Sequence, residues 1–301
     1  MRRPDFLIAG TARAGTTALH YYLRSHPEIF LPTQKEPCFF CFSENKKSYK
    51  KGKFSFIVTK PEKYFGLFDK AGHHQVAGEI STPYLYLHKQ TIQAIKKNYI
   101  GAVLPKIVII LRNPIERAYS HYLWKVRDGR EQLSFYDSLK QEDARIKDNY
   151  SIDYHYAHRG LYAEAVKNYL ENFPNVKIIL FEDFKNCFEN TMSELLIFLG
   201  VNEKFNFIRT EKINSSSSPK FPALSKAFTF ESKTKYMLLS YVPDGIRLRI
   251  KEQFYRINSI NTLPPPLSGD ARKYLMKFYQ KNILELQSVT GLNLNSWIQN
   301  E

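Results

Sequence analysis

The sequence predicts an α/β fold in which a central, mostly parallel sheet is flanked by helices on both faces. Short apolar runs typical of buried strands alternate with longer stretches whose apolar residues recur at helical spacing. A glycine-bracketed turn also joins the first apolar run to the first helical stretch. Because parallel strands need a long crossover connection, usually a helix, this alternation favours a parallel sheet.

The predicted elements follow one another along most of the chain. The predicted strands are DFLIAG (5–10), QVAGEIST (75–82), KIVIIL (106–111) and VKIILF (176–181). The predicted helices are 16–26, 115–129, 160–174, 190–200 and 271–291. Asn113 is the predicted N-cap of the second helix, Pro114 its first residue and Gly129 its end. The stretch from about 202 to 265 is less regular and is expected to be loop and cap. No linker divides the chain, so a single domain over 1–301 is predicted.

The charge of the chain favours anionic ligands. The sequence has 44 Lys and Arg against 29 Asp and Glu, a formal net charge of +15. Such a field attracts nucleic acid, anionic lipid or a polyanionic cofactor. The Lys-rich patch at 45–56 is either a solvated loop or a docking surface for an acidic acceptor. Charge is the only argument for nucleic acid, since no RNA-binding signature or zinc-finger spacing is present, and no nucleic-acid partner is expected.

The cysteines and the hydropathy pattern indicate an ordinary globular chain of 301 residues. Cys38 and Cys41 have C-x-x-C spacing, but no second pair completes a zinc site, so they are expected to pack in the core and no metal site is predicted. The sequence contains no run of about 18 apolar residues and no signal-peptide pattern. We therefore expect no membrane insertion and a cytoplasmic location.

The turn after the first predicted strand has the frame of a phosphate-binding P-loop. It reads GTARAGTT (10–17), but Thr16 stands where the G-x-x-x-x-G-K-[ST] pattern has its lysine, and Arg13 precedes it. Backbone N–H groups and the helix dipole at such a turn bind anions. A P-loop kinase, one alternative, also needs that lysine and an acid for magnesium. The strand KIVIIL instead ends at Arg112.

The two loops together predict a mononucleotide with two separated anionic groups. One group is expected at 10–17 and the other beside Arg112 and a hydroxyl of the next helix, for which Ser120 is the candidate. A basic nucleic-acid-binding module would account for the charge and leave both loops unexplained.

At these residues the chain resembles the sulfotransferases that use 3′-phosphoadenosine 5′-phosphosulfate (PAPS). The likeness is to the carbohydrate and natural-product branch, which includes heparan sulfate and bacterial sulfotransferases. The family pattern G-x-x-K-x-G-T-T-x-L reads GTARAGTTAL here, and L-R-N-P-x-x-R-A-Y-S-x-Y reads LRNPIERAYSHY. HPEIFLPTQKEPCFF (26–40), RGLYAEAVKNYLENFP (159–174) and the closing helix before TGLNLNSW (290–297) also match, so the resemblance covers nearly the whole chain.

The resemblance implies a P-loop-containing fold and a role for each matched residue. The residues implied to bind the cofactor are Arg13, Ala14, Gly15, Thr16 and Thr17 for the 5′-phosphosulfate, and Arg112 and Ser120 for the 3′-phosphate. Lys220, in the late basic loop, is implied to close over the nucleotide, with Asn214 and Ser217 as weaker candidates. Glu36 is implied to be the catalytic base, and Arg13 to stabilise the departing 3′,5′-adenosine diphosphate (PAP).

Two departures from the family pattern affect the implied chemistry. Arginine at position 13 keeps the charge of the usual lysine but donates no proton at ordinary pH, and the phosphate leaving group needs none. In the E-K-[ST]-P stretch of many members, this chain has Ile80 in place of the lysine, with Glu79 beside it as a second possible base or acceptor contact. The second departure leaves a non-catalytic PAPS-binding relative as an alternative.

Glu36 is the predicted general base for a hydroxyl or amine of a small molecule or carbohydrate. Pro37 is expected to hold Glu36 in an extended backbone. Phe39 and Phe40 are expected to anchor the segment, and a nearby Arg13 to keep the carboxylate ionised. The rival bases are His20, His73, His74 and His121. Tyr162 is as compatible with the core as with the site.

Overall fold

The central feature of the molecule is a five-stranded parallel sheet. The computed structural model describes residues 1–44, 48–52, 57–209, 218–219, 259–260 and 265–299. The strands of the sheet are β1 (Phe6–Ile8), β2 (Ile29–Phe30), β3 (Val76–Ile80), β4 (Lys106–Leu111) and β5 (Val176–Leu180), in the order β2-β3-β1-β4-β5. Two further strands, β6 (Ser218–Pro219) and β7 (Ser259–Ile260), form a separate antiparallel pair.

Helices connect the strands of the sheet. They are α1 (Thr16–Ser25), α2 (Phe39–Phe42), α3 (Pro61–Phe65), α4 (Pro83–Tyr86), α5 (His88–Asn98), α6 (Pro114–Arg127), α7 (Phe135–Lys140), α8 (Glu142–Lys147), α9 (Ala163–Asn172), α10 (Phe181–Asn186), α11 (Phe188–Leu199) and α12 (Gly269–Thr290). Single 3₁₀ turns span 66–68, 152–154, 158–160 and 295–297. Within the described ranges, each helix is too short or too polar to cross a bilayer.

Both faces of the sheet are covered, as predicted. Successive strand side chains point to opposite faces, and the side chains of β4 from Ile107 to Leu111 are fully buried on both faces. Val108 and Ile110 pack in the core that contains residues of α1 and α11, whereas Ile107 and Ile109 pack in the core that contains residues of α5, α9 and α12. Burying one such aliphatic side chain stabilises a fold by about 1.5–3 kcal/mol. The continuous apolar run KIVIIL is therefore a central strand of a two-sided sheet.

The sequence pattern located most of the long elements and missed several others. The strand β4 has the predicted bounds, and the Asn113 side chain caps α6 by accepting hydrogen bonds from the backbone N–H groups of Ile115 and Glu116. The two-residue strand β2 and the helix α5 were not predicted. Most of the predicted irregular region from about 202 to 265 lies outside the described residues.

The parallel arrangement collects five loops at one edge of the sheet. The loops that follow β1, β2, β3, β4 and β5 all begin at the carboxyl ends of their strands. This is the edge at which α/β sheets bind their ligands. The predicted site residues follow three of these strands: 10–17 follow β1, Glu36 follows β2, and Arg112 and Ser120 follow β4.

Candidate functional site

The loop after β1 requires glycine at both of its ends. A Cβ atom at Gly10 would lie 2.2 Å from Ile110 Cγ2. Gly15 has φ +83°, in the left-handed region, and a Cβ there would lie 2.9 Å from the Phe181 ring. Gly15 is the N-cap of α1, so the first backbone N–H groups of that helix, beginning at Thr16, have no intrahelical acceptor and no capping side chain. The loop between Gly10 and Thr16 therefore presents backbone N–H groups of the kind that bind anions.

Arg13 joins the loop after β1 to the helix after β4. Its Nε donates a hydrogen bond to Ser120 Oγ at 3.0 Å, and its carbonyl oxygen accepts one from Arg112 Nη1 at 3.0 Å. Arg13 has φ +72°, a strained value for a residue with a side chain, which the two contacts help to hold. The structure thus brings together the three residues that the sequence placed in two separate loops.

Positive charge is concentrated at this junction. Burial, with the charges of Arg127 and Arg112, lowers the pKa of Arg13 to about 10. Burial also lowers the pKa of Arg112, whose guanidinium carbon lies 4.8 Å from the centre of the Phe181 ring. Both groups remain cationic at neutral pH, and an anion bound between them would relieve the unfavourable burial of charge.

Tyr162 is a core residue that supports the site. Its side chain is buried, and its hydroxyl donates a hydrogen bond to the carbonyl oxygen of Arg112 at 3.1 Å. Burial raises the pKa of Tyr162 to about 12, so the phenol stays protonated as a donor. Tyr162 therefore helps to fix the backbone of Arg112 at the end of β4.

Glu36 follows β2, and its backbone differs from the prediction. The residue has φ +54°, and Cys38 has φ +53°, so Pro37 sits between two left-handed residues. The expectation of an extended Glu36 was wrong: the local preference of a residue before proline is overridden by tertiary contacts. Cys38 N–H donates to Ser81 Oγ at 3.0 Å, and Val58 N–H donates to the Pro37 carbonyl at 2.9 Å. These bonds hold the bend that directs Glu36.

The carboxyl group of Glu36 is half-buried and accepts a hydrogen bond from Thr82 Oγ1 at 3.1 Å. Burial raises its pKa, whereas the charge of Lys35, the Thr82 bond and the charge of Arg159 lower it. The sequence analysis expected a nearby Arg13 to keep the Glu36 carboxyl group ionised. Its pKa is instead raised, and the cations that favour ionisation are Lys35 and Arg159. A raised pKa makes a carboxylate a stronger base.

Glu79 is not available as the base. It is 1% exposed, and its two oxygens accept hydrogen bonds from the hydroxyls of Tyr84 (2.6 Å), Ser81 (2.8 Å) and Tyr64 (3.2 Å). Burial raises its pKa to about 7, although the three hydroxyl bonds oppose that shift. Because Ser81 also accepts the Cys38 N–H bond, Glu79 supports the segment that carries Glu36. Ile80, on the other face of β3, is buried in the apolar core.

The four other histidines that the sequence offered as bases are less suited to that role, because of their lowered pKa or their position. His121 is buried in α6, and burial with neighbouring cations keeps its pKa well below the usual value. Burial and the charge of Lys35 lower the pKa of His20 to about 4. His73 and His74 are exposed in the turn before β3.

The paired cysteines pack in the core, as expected. Cys38 and Cys41 are free, buried thiols. A hydrogen bond with Cys41 and burial raise the pKa of Cys38, and burial raises the pKa of Cys41. No cluster of potential metal ligands occurs among the residues that the structure describes.

Lys35 is a site residue that the sequence reasoning missed. Its Nζ donates a hydrogen bond to Thr17 Oγ1 at 2.7 Å, which places the ammonium group at the first turn of α1. Burial lowers the pKa of Lys35. The signal in the sequence was its position next to Glu36. Lys220, Asn214 and Ser217, by contrast, lie outside the described residues, so their predicted roles stay predictions.

The sequence profile of the Sulfotransferase family matches residues 4–204, about two thirds of the chain. The chain belongs to the sulfotransferase family. The matched segment includes the loop 10–17, Lys35, Glu36, Arg112 and Ser120, and the membership confirms both the predicted family and the predicted P-loop-containing fold. This sulfotransferase is therefore an enzyme by family and fold.

Two relatives align with all or nearly all of the chain. This sulfotransferase is 24% identical to the human bifunctional heparan sulfate N-deacetylase/N-sulfotransferase 3, an alignment over the whole chain and 32% of that protein. It is 23% identical to the membrane-associated sulfotransferase kil1 of Dictyostelium discoideum, over 93% of the chain and 63% of that protein. The chain thus spans less than a third of the length of the first relative and less than two thirds of the second. Among solved structures, a sulfotransferase from Alicyclobacillus acidocaldarius superposes with a TM-score of 0.75 at 28% identity, covering 99% of this chain and all of that one.

Proposed function

We propose that this sulfotransferase transfers a sulfuryl group from PAPS to a hydroxyl group, or an amine, of a small-molecule natural product or a sugar, with Glu36 as the general base. The observation that carries the proposal is the junction of two anion-binding loops, in which Arg13 contacts both Ser120 and Arg112. A single nucleotide with a phosphosulfate and a second phosphate requires two such loops side by side.

The donor would be held by groups whose chemistry suits anions. The N-terminus of α1 and Arg13 would bind the 5′-phosphosulfate, and Arg112 and Ser120 the 3′-phosphate. Burial lowers the pKa of both arginines, and at Arg13 the charges of Arg127 and Arg112 add to the effect, which supports an anionic ligand at this position. PAPS supplies the sulfuryl group as the second substrate of the reaction.

The chain's own residues would then assist a direct transfer. The acceptor oxygen attacks sulfur and forms a new S–O bond while its proton passes to a carboxylate oxygen of Glu36. The bond between sulfur and the 5′-phosphate oxygen breaks, and its electron pair stays on that oxygen as PAP leaves. Arg13 stabilises the charge that develops there. Thr82, which donates to Glu36, holds the base in place.

Fixed cations would replace a metal ion in this reaction. The tip of β4 presents Arg112, and the adjacent loop presents Arg13. A sulfuryl group carries less negative charge than a phosphoryl group, so two guanidinium groups and helix amides are expected to suffice. We therefore propose a transfer that needs no magnesium.

The acceptor class is supported by one relative in particular. The human relative is named for heparan sulfate, a glycan, which supports a sugar hydroxyl or amine as acceptor. The excess of positive charge on this chain, +15, also suits an acidic acceptor.

The proposal is tested by incubating the protein with ³⁵S-labelled PAPS and a panel of sugars, glycans and phenolic natural products, with and without EDTA. We expect labelled product, PAP release and no effect of EDTA. ATP with magnesium should be neither hydrolysed nor able to raise the unfolding temperature. PAPS binding without transfer to any acceptor would favour a non-catalytic relative. Transfer lost in EDTA and restored by a divalent ion would contradict the metal-free mechanism.

Arg112→Ala should remove most of the preference for a 3′-phosphate. We expect the protein to bind PAP more tightly than 5′-adenosine monophosphate, because the 3′-phosphate gains a charge-assisted hydrogen bond from Arg112. The variant should lose about 2–3 kcal/mol of that difference, measured by titration calorimetry with both nucleotides. Arg272→Ala, on the half-exposed face of α12, is the matched control. Equal affinities for the two nucleotides in the unaltered protein would contradict the assignment.

A further inference from the structure

Lys35 differs from the ordinary surface lysines of this chain. Its side chain is half-buried, and among the described residues no carboxylate lies within ion-pair distance of its ammonium group. Exposed lysines such as Lys89 and Lys97 do have acidic partners, at 2.7 Å and 2.6 Å. The partner of Lys35 is instead the neutral hydroxyl of Thr17. A partly desolvated cation without an acidic partner is stabilised when a ligand supplies negative charge beside it.

The position of Lys35 identifies the part of the ligand it would meet. Thr17 lies in the first turn of α1, where the helix N-terminus would bind the phosphosulfate. The next residue along the chain, Glu36, carries the base that faces the acceptor. Lys35 is electrostatically coupled to both Arg13 and Glu36. The ammonium group therefore lies at the first turn of α1, and it is close enough to Arg13 and Glu36 to interact with both charges.

We propose that Lys35 is a further catalytic residue, whose ammonium group binds a non-bridging oxygen of the sulfuryl group while that group passes from donor to acceptor. This inference rests on the proposed function. It also answers the absence of the lysine that the family resemblance led us to expect at Ile80, because β3 points Ile80 into the apolar core. In this chain the cation comes from the loop after β2 instead.

Lys35 would act as a fixed charge, with no proton transferred from it. One of its N–H bonds is used by Thr17 Oγ1, which leaves the others for sulfuryl oxygens. Bonds to those oxygens that tighten in the transition state would accelerate transfer, whereas the affinity for PAP, which has no sulfuryl group, would not depend on them. Lys35 should therefore affect kcat far more than it affects PAP binding.

The experiment compares Lys35→Met and Lys35→Arg with a control, Lys63→Met, which removes an exposed lysine on α3. In the PAPS transfer assay, Lys35→Met should lower kcat by about 10²–10³-fold, the usual effect of losing one donor to a developing charge. Its Kd for PAP should stay within about twofold of the original value. Lys35→Arg should keep a larger part of the turnover, and the control should be unaffected.

The pH profile gives a readout that a merely structural role would not change. A lysine with a lowered pKa loses its charge as pH rises, so the alkaline limb of kcat should lie below the ordinary lysine range. Lys35→Arg should move that limb to higher pH, because arginine stays protonated. If Lys35→Met fails to fold, this profile and Thr17→Val, which removes the hydroxyl that positions Lys35, still test the proposal.

Three outcomes would overturn the inference. One is normal turnover in Lys35→Met, and another is an equal loss of PAP and PAPS affinity, which would make Lys35 a phosphate ligand. The third is an alkaline limb that Lys35→Arg leaves in place. If the unaltered protein transfers no sulfuryl group at all, the proposed function fails and this inference fails with it. The behaviour of the unaltered protein therefore separates the two failures.

Discussion

Glu36→Gln should lower the turnover of sulfuryl transfer by about 10²–10⁴-fold, the usual contribution of a general base. The amide is nearly the same size as the carboxyl group and can still accept the Thr82 hydrogen bond, but it cannot accept a proton from the acceptor. The affinity for PAP should hardly change, because Glu36 is assigned to the acceptor side. Steady-state kinetics with the true acceptor and calorimetry with PAP measure the two quantities.

The pH dependence of the same variant checks the assignment independently. Glu36 must be ionised to act as a base, so activity should fall as pH drops through its pKa. Since burial raises that pKa above its ordinary value, the acid limb of kcat/KM should lie at higher pH than for an exposed glutamate. Glu36→Gln should abolish this limb, whereas Glu62→Gln, on the exposed side of α3, should preserve it. Near-normal turnover in Glu36→Gln would mean that the proton goes elsewhere.

Arg13→Met should lower turnover by about 10²–10³-fold, because it removes the guanidinium group assigned to the leaving phosphate. The loss should appear in kcat and also weaken PAP binding, since the same group contacts the phosphate before and after transfer. Arg13→Lys restores the residue of the family pattern and keeps the charge. It loses the Nε bond to Ser120, so we expect it to retain a large part of the turnover.

The control for both Arg13 variants is Arg24→Met, which removes an exposed arginine from the last turn of α1. The left-handed backbone at position 13 constrains all three side chains alike, so thermal unfolding should show similar stabilities for Arg13→Met and Arg13→Lys. Turnover of Arg13→Met within about threefold of the original would contradict the role of this cation in departure of the phosphate group, which is expected to contribute far more.

The sequence by itself determined the fold class and the positions of the two loops that we propose bind anions. Both depend on local patterns: apolar runs such as 106–111 at the spacing of buried strands, and glycines that bracket a strand-to-helix turn. The N-cap Asn113 and the helix that follows it are equally local, since a capping bond reaches only two or three residues along the chain. Short-range patterns of this kind are written directly in the order of the residues.

Only the tertiary structure decided how these parts combine. Arg13 and Ser120 are 107 residues apart in the chain, and no local pattern encodes their contact or the strand order that produces it. The same holds for the left-handed backbone of Glu36, which long-range hydrogen bonds impose against the preference of a residue before proline. Burial distinguishes the half-buried Glu36 from the enclosed Glu79, and the packing of the described elements brings no carboxylate within ion-pair distance of Lys35. Both depend on which elements pack together. A pKa follows from that packing, so the proposals for the base and for the extra cation both depend on the fold.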